Sequence, residues 1–204
     1  MTRDDVEIID RRVAYRGFGR ITDLTLRHRR FAGGMTEPMH REVYERKPVA
    51  AVLLYDAPRD IVVLIEQFRA GAYLAGVQPW QIEIIAGLID TDEAPEAVAR
   101  REAREEANCT VGAIERIGTV MTSPGGMNEL CTMFCGAVDS RGAGGIHGLA
   151  HEHEDIRVLP MSRDAALTAL ADGRIVNGKC VIALQWLALH HVALRARWGT
   201  SHPA

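Results

Sequence analysis

The apolar positions of this chain change their period several times, and each change marks an element. Residues 49–56, VAAVLLYD, are apolar almost without a break, which predicts a strand covered on both faces. The turn Ala57-Pro58-Arg59-Asp60 leads to a second such run over residues 61–68. Residues 70–79, with Gly71, Gly76 and Pro79, read as a loop, and residues 80–85 as a short strand running into Ala86-Gly87. Pro95 and Glu96 suit the first turn of a helix reaching about Ala107, with Ala97, Val98 and Ala103 on its buried face. Strands follow over residues 111–121 and 130–138, separated by the turn Thr122-Ser123-Pro124-Gly125-Gly126.

Residues 139–155 are glycine-rich and read as a long loop, a length that is functional or disordered more often than structural. The loop ends on His151-Glu152-His153-Glu154-Asp155. A strand over residues 156–161 and a helix capped by Ser162 and closed by Asp172-Gly173 come next. Residues 178–198 form a long helix with apolar positions at Ile182, Trp186, Leu189 and Leu194. Ahead of all this, residues 5–46 alternate as a three-stranded β-meander around the turn Ala32-Gly33-Gly34-Met35. A meander of that size buries little by itself, so it should pack on the main domain or on a second chain. Pro48 marks the boundary, giving an amino-terminal β domain over residues 1–47 and a main domain over residues 48–204. The expected class is α/β (α+β), a mixed β-sheet between helices with the small meander attached.

Composition narrows the function. A net charge of −3 and the lack of a basic run argue against a nucleic-acid partner. No apolar run is long enough to span a membrane, and the opening MTRDDVEIID is too polar for a signal peptide. Cys109, Cys131, Cys135 and Cys180 form no C-x-x-C pair and read as reduced, buried thiols of a cytoplasmic protein.

The chemistry gathers in residues 87–109, GLIDTDEAPEAVARREAREEANC. Glu102, Glu105 and Glu106 stand at i, i+3 and i+4, on one helix face. A run of like charge is usually a solvated face. Crowding of this kind becomes favourable when a divalent cation sits among the carboxylates, and hard oxygens suit Mg²⁺, with Mn²⁺ as the alternative. The flanking residues favour the second reading. Gly87, Glu93, Arg101, Glu102, Glu105 and Glu106 match six of the seven fixed positions of G-x5-E-x7-R-E-U-x-E-E-x-G-U, the box of the Nudix hydrolases. A chance match in a chain this long is on the order of 1 in 10,000 or rarer. Ala103 and Cys109 are small for the U positions, and Asn108 replaces the last glycine, where Asn is the next-best residue for a left-handed helix end.

The resemblance extends beyond the box. Tyr15-Arg16-Gly17-Phe18, Phe68-Arg69, Ser123-Pro124-Gly125-Gly126, Glu152-x-Glu154-Asp155-Ile156 and residues 181–187, VIALQWL, are similar to the bacterial ADP-ribose pyrophosphatases. That resemblance implies a Nudix fold and Mg²⁺-dependent hydrolysis of ADP-ribose, a small nucleotide sugar, to AMP and ribose 5-phosphate. It implies metal ligation by the Ala86 carbonyl, Glu102, Glu106 and Glu154, with Glu105 in metal binding or water orientation. It implies Glu152 as general base, with Glu154 or Glu105 as alternatives, and Arg101 as the group holding the helix carboxylates. It implies substrate contacts from Phe18, Arg41, Arg69, Glu83, Ser123 and Gly125, and a homodimer whose amino-terminal domains are exchanged. Other readings stay open at this point: a pyrophosphatase for GDP-mannose or another nucleoside diphosphate sugar, or a sensor that binds ADP-ribose without cleaving it. An isoprenoid diphosphate isomerase fits less well, because Cys109 lies at a helix end rather than in a catalytic position.

Overall fold

The protein is described here by a computed structural model covering residues 1–90 and 92–199. The chain packs as two units, Met1–Lys47 with Met121–Leu130, and Pro48–Val120 with Cys131–Ala204. In the first unit, β1 (Val6–Arg16), β2 (Arg20–His28) and β3 (Met39–Glu45) form an antiparallel sheet in the order β1-β2-β3. All of β1 is exposed, and the buried polar residues of this unit are Thr22 and Glu129. Ion pairs between and beside the strands, such as Arg12–Asp23 at 2.6 Å and Arg11–Glu45 at 2.9 Å, take the place of a core. Residues 121–130, read from sequence as a turn and strand entry within the larger region, pack with this sheet instead. Tyr44 donates its N–H to the Gly126 carbonyl at 2.8 Å, and the Asn128 side chain accepts from Arg46 N at 2.8 Å.

The second unit is a mixed sheet between helices. Its strands are β4 (Val49–Asp56), β5 (Ile61–Phe68), β6 (Trp80–Glu83), β7 (Ile85–Leu88), β8 (Ile114–Val120), β9 (Cys131–Ala137), β10 (Ile146–His147) and β11 (Ile156–Ser162). Its helices are α1 (Ala70–Leu74), α2 (Pro95–Ala107), α3 (Arg163–Ala171) and α4 (Gly178–Trp198). The order along the sheet is β10-β11-β5-β4-β9-β8, with β6 paired to β5 and β7 to β4. The β4–β9 pairing is parallel and the others are antiparallel.

The unbroken apolar run of β4 has a direct cause. Val49, Ala51, Leu53 and Tyr55 pack with Ala166, Leu184 and Leu187 of α3 and α4. Ala50, Val52 and Leu54 pack with Val98, Ala99 and Ala103 of α2. Both faces are dry, so alternation disappears from the sequence.

β4 changes partner along its length. Leu54–Asp56 pair with Ile61–Val63 of β5, whereas Val49–Val52 pair with Ile85–Leu88 of β7. The stretch read as one strand over residues 80–85 therefore divides, with Ile84 buried in one core layer and Ile85 in the other. Three further details differ from the sequence reading. The loop at residues 70–79 contains the one-turn helix α1, which has no buried residue and hence no apolar period to betray it. Residues 139–155 contain β10 and a 3₁₀ turn at Ala150–Glu152. On α2 the buried face is Val98, Ala99, Ala103, Glu106 and Ala107 while Ala97 is exposed, and on α4 Leu189 is exposed beside the stripe Cys180, Ala183, Leu184, Leu187, Leu194 and Trp198. Among the described residues no helix is long and apolar enough to cross a membrane.

Leu53 is 0% exposed and Leu189 83% exposed. Leu53→Ala should lower unfolding free energy by about 2–5 kcal/mol in urea denaturation, from lost transfer energy plus the cavity left behind. Leu189→Ala should stay within about 0.5 kcal/mol of the parent. Equal losses at the two positions would contradict the layering described here.

Candidate active site

The site is built where α2 lies across β7. Gly87 makes that approach possible, because a Cβ at this position would sit 1.9 Å from Glu102 Oε1. The preceding residue, Ala86, donates its N–H to Glu106 Oε2 at 3.2 Å. Helix α2 begins with Pro95 at its first position, and it ends on Asn108 at φ +50° and ψ 34°. Asn108 and Cys109 donate their N–H groups to the carbonyls of Arg104 and Ala103, at 3.0 and 2.9 Å. Asn thus performs the left-handed closure that the box assigns to glycine.

Arg101 lies among the acidic groups: its Nη1 is 2.7 Å from Glu105 Oε2 and 2.8 Å from Glu102 Oε1, and its Nε is 3.5 Å from Glu93 Oε2. Glu106 is only 3% exposed. Burial pushes its carboxyl up to about 8, with repulsion from Glu102 and Glu154 adding to the rise and the Ala86 N–H and Arg69 opposing it. Glu102 is pushed up to about 7, again chiefly by burial, against the pull of Arg101 and with repulsion from Glu105 and Glu154. Glu154, far away in sequence, therefore belongs to the same electrostatic cluster. The loop folds on itself to present it: Leu149 donates its N–H to Glu154 Oε2 at 3.0 Å. Gly148 stands at φ +105°, where a Cβ would lie 2.6 Å from that of Glu154.

Arg69 and Glu83 form a second pair beside the cluster. Arg69 Nε donates to Glu83 Oε1 at 3.0 Å and Nη2 to Oε2 at 2.7 Å, while Asn177 Nδ2 donates to Glu83 Oε1 at 3.1 Å. Glu83 is 1% exposed, and a buried carboxylate must be paired. Glu83, expected as a substrate contact, accepts hydrogen bonds from Arg69 and Asn177. Gln67, two residues before Arg69 on β5, has a buried Nε2 with no hydrogen-bond partner among the described residues. Asn177 and Gln67 did not emerge from sequence. An Asn ahead of a helix signals a cap, but nothing in sequence signals its second bond to a residue 94 positions away.

Glu152 is exposed on the 3₁₀ turn, with His151 Nε2 3.6 Å from its carboxylate, and it makes no bond to the cluster. His153, in the left-handed region at φ +56°, separates it from Glu154. Phe18, Arg41, Ser123 and Gly125 belong to the first unit. There Phe18 is 84% exposed with Arg46 Cζ 5.7 Å from its ring centre, and Arg41 donates to the His40 carbonyl at 2.7 Å. The Ser123 carbonyl accepts from Met127 N at 2.9 Å, and Gly125 faces open space.

Among the described residues no three His, Cys, Asp or Glu side chains converge closely enough to form a ready metal cage. The donor set nevertheless fits a hard divalent cation: the groups are carboxylate oxygens, Glu106 is buried and Glu102 partly so, both with raised protonation, and Glu106 has a backbone N–H as its hydrogen-bond partner.

Comparison with known proteins agrees with this architecture. The family model described as NUDIX domain matches residues 45–199. The ADP-ribose pyrophosphatase of Escherichia coli (strain K12) is 47% identical over 197 residues, which is 97% of this chain and 94% of the relative. A GDP-mannose pyrophosphatase of Escherichia coli O1:K1 / APEC is 41% identical over 154 residues, 74% of this chain and 79% of that one. A crystal structure of an ADP compounds hydrolase superposes with TM-score 0.72 at 15% identity, covering 98% of this chain and 100% of the other, and it shares the fold.

The folded values of about 7 and about 8 lie above the ordinary 4.5 for both glutamates. The folded state therefore binds more protons, so this contribution to stability is complete at low pH and is lost as pH rises through the folded values. The melting temperature of metal-free protein should fall between about pH 4.5 and about pH 8, and Glu106→Gln should flatten much of that fall. Saturating Mg²⁺ should raise the melting temperature more at the higher pH, where the ligands are ionised. A flat profile with the same Mg²⁺ shift at both ends would show that the cluster carries no such charge.

Proposed function

The chain belongs to the Nudix family, and from that premise we propose that it is a divalent-metal-dependent pyrophosphatase that cleaves ADP-ribose to AMP and ribose 5-phosphate. The observation that carries this reading is the packing of Glu102 and Glu106 over Ala86 and Gly87, with Glu154 in their field. The choice of ADP-ribose is supported by the E. coli relative, which matches nearly the whole chain, whereas the GDP-mannose relative matches about three quarters of it. Retention of Glu102, Glu105 and Glu106 favours hydrolysis over mere sensing.

In this reading Glu102, Glu106, Glu154 and the Ala86 carbonyl hold Mg²⁺ or Mn²⁺, which when bound offsets diphosphate charge and lowers the pKa of a bound water. Arg101 keeps Glu102 and Glu105 oriented. Arg69 offers the rest of its guanidinium to a phosphate oxygen. Glu152, two residues before Glu154 on the same loop, takes the proton of the attacking water as the water oxygen bonds to phosphorus, while the P–O–P bond breaks and the leaving phosphate keeps the electron pair. Phe18, Arg41, Ser123 and Gly125 contribute contacts to the nucleoside and ribose. A homodimer through the amino-terminal unit is supported by the exposure of Ile8, Ile9, Val13 and Tyr15 on a strand with no buried residue. The burial of all four cysteines supports a reducing, cytoplasmic setting.

Product analysis tests the reading. With Mg²⁺, ADP-ribose should yield AMP and ribose 5-phosphate, and a chelator should abolish the reaction. Glu102→Gln should lower kcat by about 10²–10⁴-fold without loss of fold, the range expected when charge stabilisation and proton transfer fail together. Faster cleavage of GDP-mannose would overturn the substrate assignment. An active Glu102→Gln would overturn the site.

A further inference from the structure

Asn177 precedes α4 and uses both ends of its amide. Its Oδ1 accepts from the N–H groups of Lys179 and Cys180 at 3.1 and 3.2 Å, so the oxygen is identified by two backbone donors and the amide cannot be flipped. The Nδ2 must then point away from the helix, and it meets Glu83 Oε1 at 3.1 Å. Glu83 is completely enclosed and is bound on its other side by the Nε and Nη2 of Arg69. Arg69 is left with Nη1, which makes no hydrogen bond among the described residues, on a side chain that is 42% exposed. Its charge is felt by Glu106 and it feels Glu154 in turn.

We infer that Asn177 is a positioning residue for Arg69: through Glu83 it fixes one edge of the guanidinium and leaves Nη1 free for an anionic phosphate oxygen. The inference rests on the reading of Arg69 as a phosphate clamp. Its physical content is a competition. Arg69 lies within the field of Glu106 and Glu154, and a guanidinium released from Glu83 would turn to those carboxylates. It would then occupy ligands meant for a cation and withdraw from the substrate. Glu83 prevents this only while its own carboxylate is held. Two fixed donors hold it, Arg69 and Asn177, and the positive amino-terminal end of the 21-residue α4 faces the same group. The long helix at the carboxyl end of the chain thus anchors a residue at the site through one amide. This assigns a second use to a residue whose visible task is capping.

Capping and positioning can be separated by substitution. Ser at 177 keeps an oxygen that caps the helix but has no N–H arm reaching Glu83. Asp keeps both the cap and the reach, but it sets an acceptor and a negative charge against Glu83. We would measure kcat and KM for ADP-ribose, with the melting temperature of each protein, in Asn177→Ser, Asn177→Asp, Arg69→Ala and the double variant Asn177→Ser/Arg69→Ala. Asn177→Ser should raise KM by about tenfold with kcat changed less than about threefold, and Asn177→Asp should raise it further, since a lost donor to a charged partner acts on binding. In the Arg69→Ala background Asn177→Ser should add nothing, because residues acting in series are not additive. An unchanged KM in both Asn177 variants, or losses that multiply in the double variant, would overturn the inference while leaving the clamp intact. An unchanged KM in Arg69→Ala would remove the clamp itself, and the inference with it. A KM rise in Asn177→Ser that persists unaltered without Arg69 would assign Asn177 to capping alone.

Discussion

Helix α2 carries Glu102, Glu105 and Glu106 within about one turn and yet lies against a sheet. Those conditions are compatible only because the strand beneath offers no side chain where Glu102 comes down. At Gly87 a Cβ would meet the Glu102 carboxylate where it now lies, so the glycine leaves room for that side chain over the strand. The position of Gly87 depends in turn on the pairing of β7 with the first half of β4, and β4 is the strand buried on both faces. Val98, Ala99 and Ala103 draw α2 onto that strand by burial of apolar surface, and the small side chains at 99 and 103 let it approach closely. Ala103, small for its place in the sequence pattern, is fully buried for this reason. The hydrophobic layer thus supplies the force that brings the carboxylates into the sheet.

Charge in the site is distributed so that it is restrained but not cancelled. Arg101 is engaged by Glu93, Glu102 and Glu105 on the outer side of the helix. Arg69 is engaged by Glu83. Glu106, the most buried of the box carboxylates, has a backbone N–H as its hydrogen-bond partner and feels Arg69 only at a distance. A direct arginine partner for Glu106 would stabilise the fold at neutral pH and would also occupy the lone pairs that a cation needs. Burial without such a partner raises protonation instead and leaves the oxygens available once a cation displaces the proton.

Much of this was legible in sequence because local signals agreed with the final packing. The strands β4 and β5, the helix from Pro95 to Ala107 and the long terminal helix each follow from period, caps and turn residues. The box located Gly87, Arg101 and the glutamates because their spacing is fixed along a single helix and the strand before it. What escaped was non-local or lacked a periodic face. The division of residues 80–85 between β5 and β4 depends on where two strands diverge, which no single segment encodes. Helix α1 buries nothing. Ala97 and Ala99 are chemically identical, and only the exact rotation of α2 decides which is buried. From sequence Glu83 is expected as a substrate contact, and its hydrogen bonds with Arg69 and Asn177 depend on contacts across the fold.

The third carboxylate is held on different terms from the first two. Glu102 and Glu106 ride on a helix fixed by the core, whereas Glu154 is held by its own loop, through Leu149 N and the close approach of Gly148. That loop has positive-φ glycines at 142, 144, 145 and 148 and joins the sheet through the two residues of β10. Segments with few buried apolar groups open at lower free energy than the core does. Repulsion from Glu102 and Glu106 acts against the folded loop by pushing Glu154 away, and a cation among the three reverses the sign of that interaction. If the site takes a divalent ion as proposed, ordering of residues 146–154 and binding of that ion share one free energy, and each favours the other.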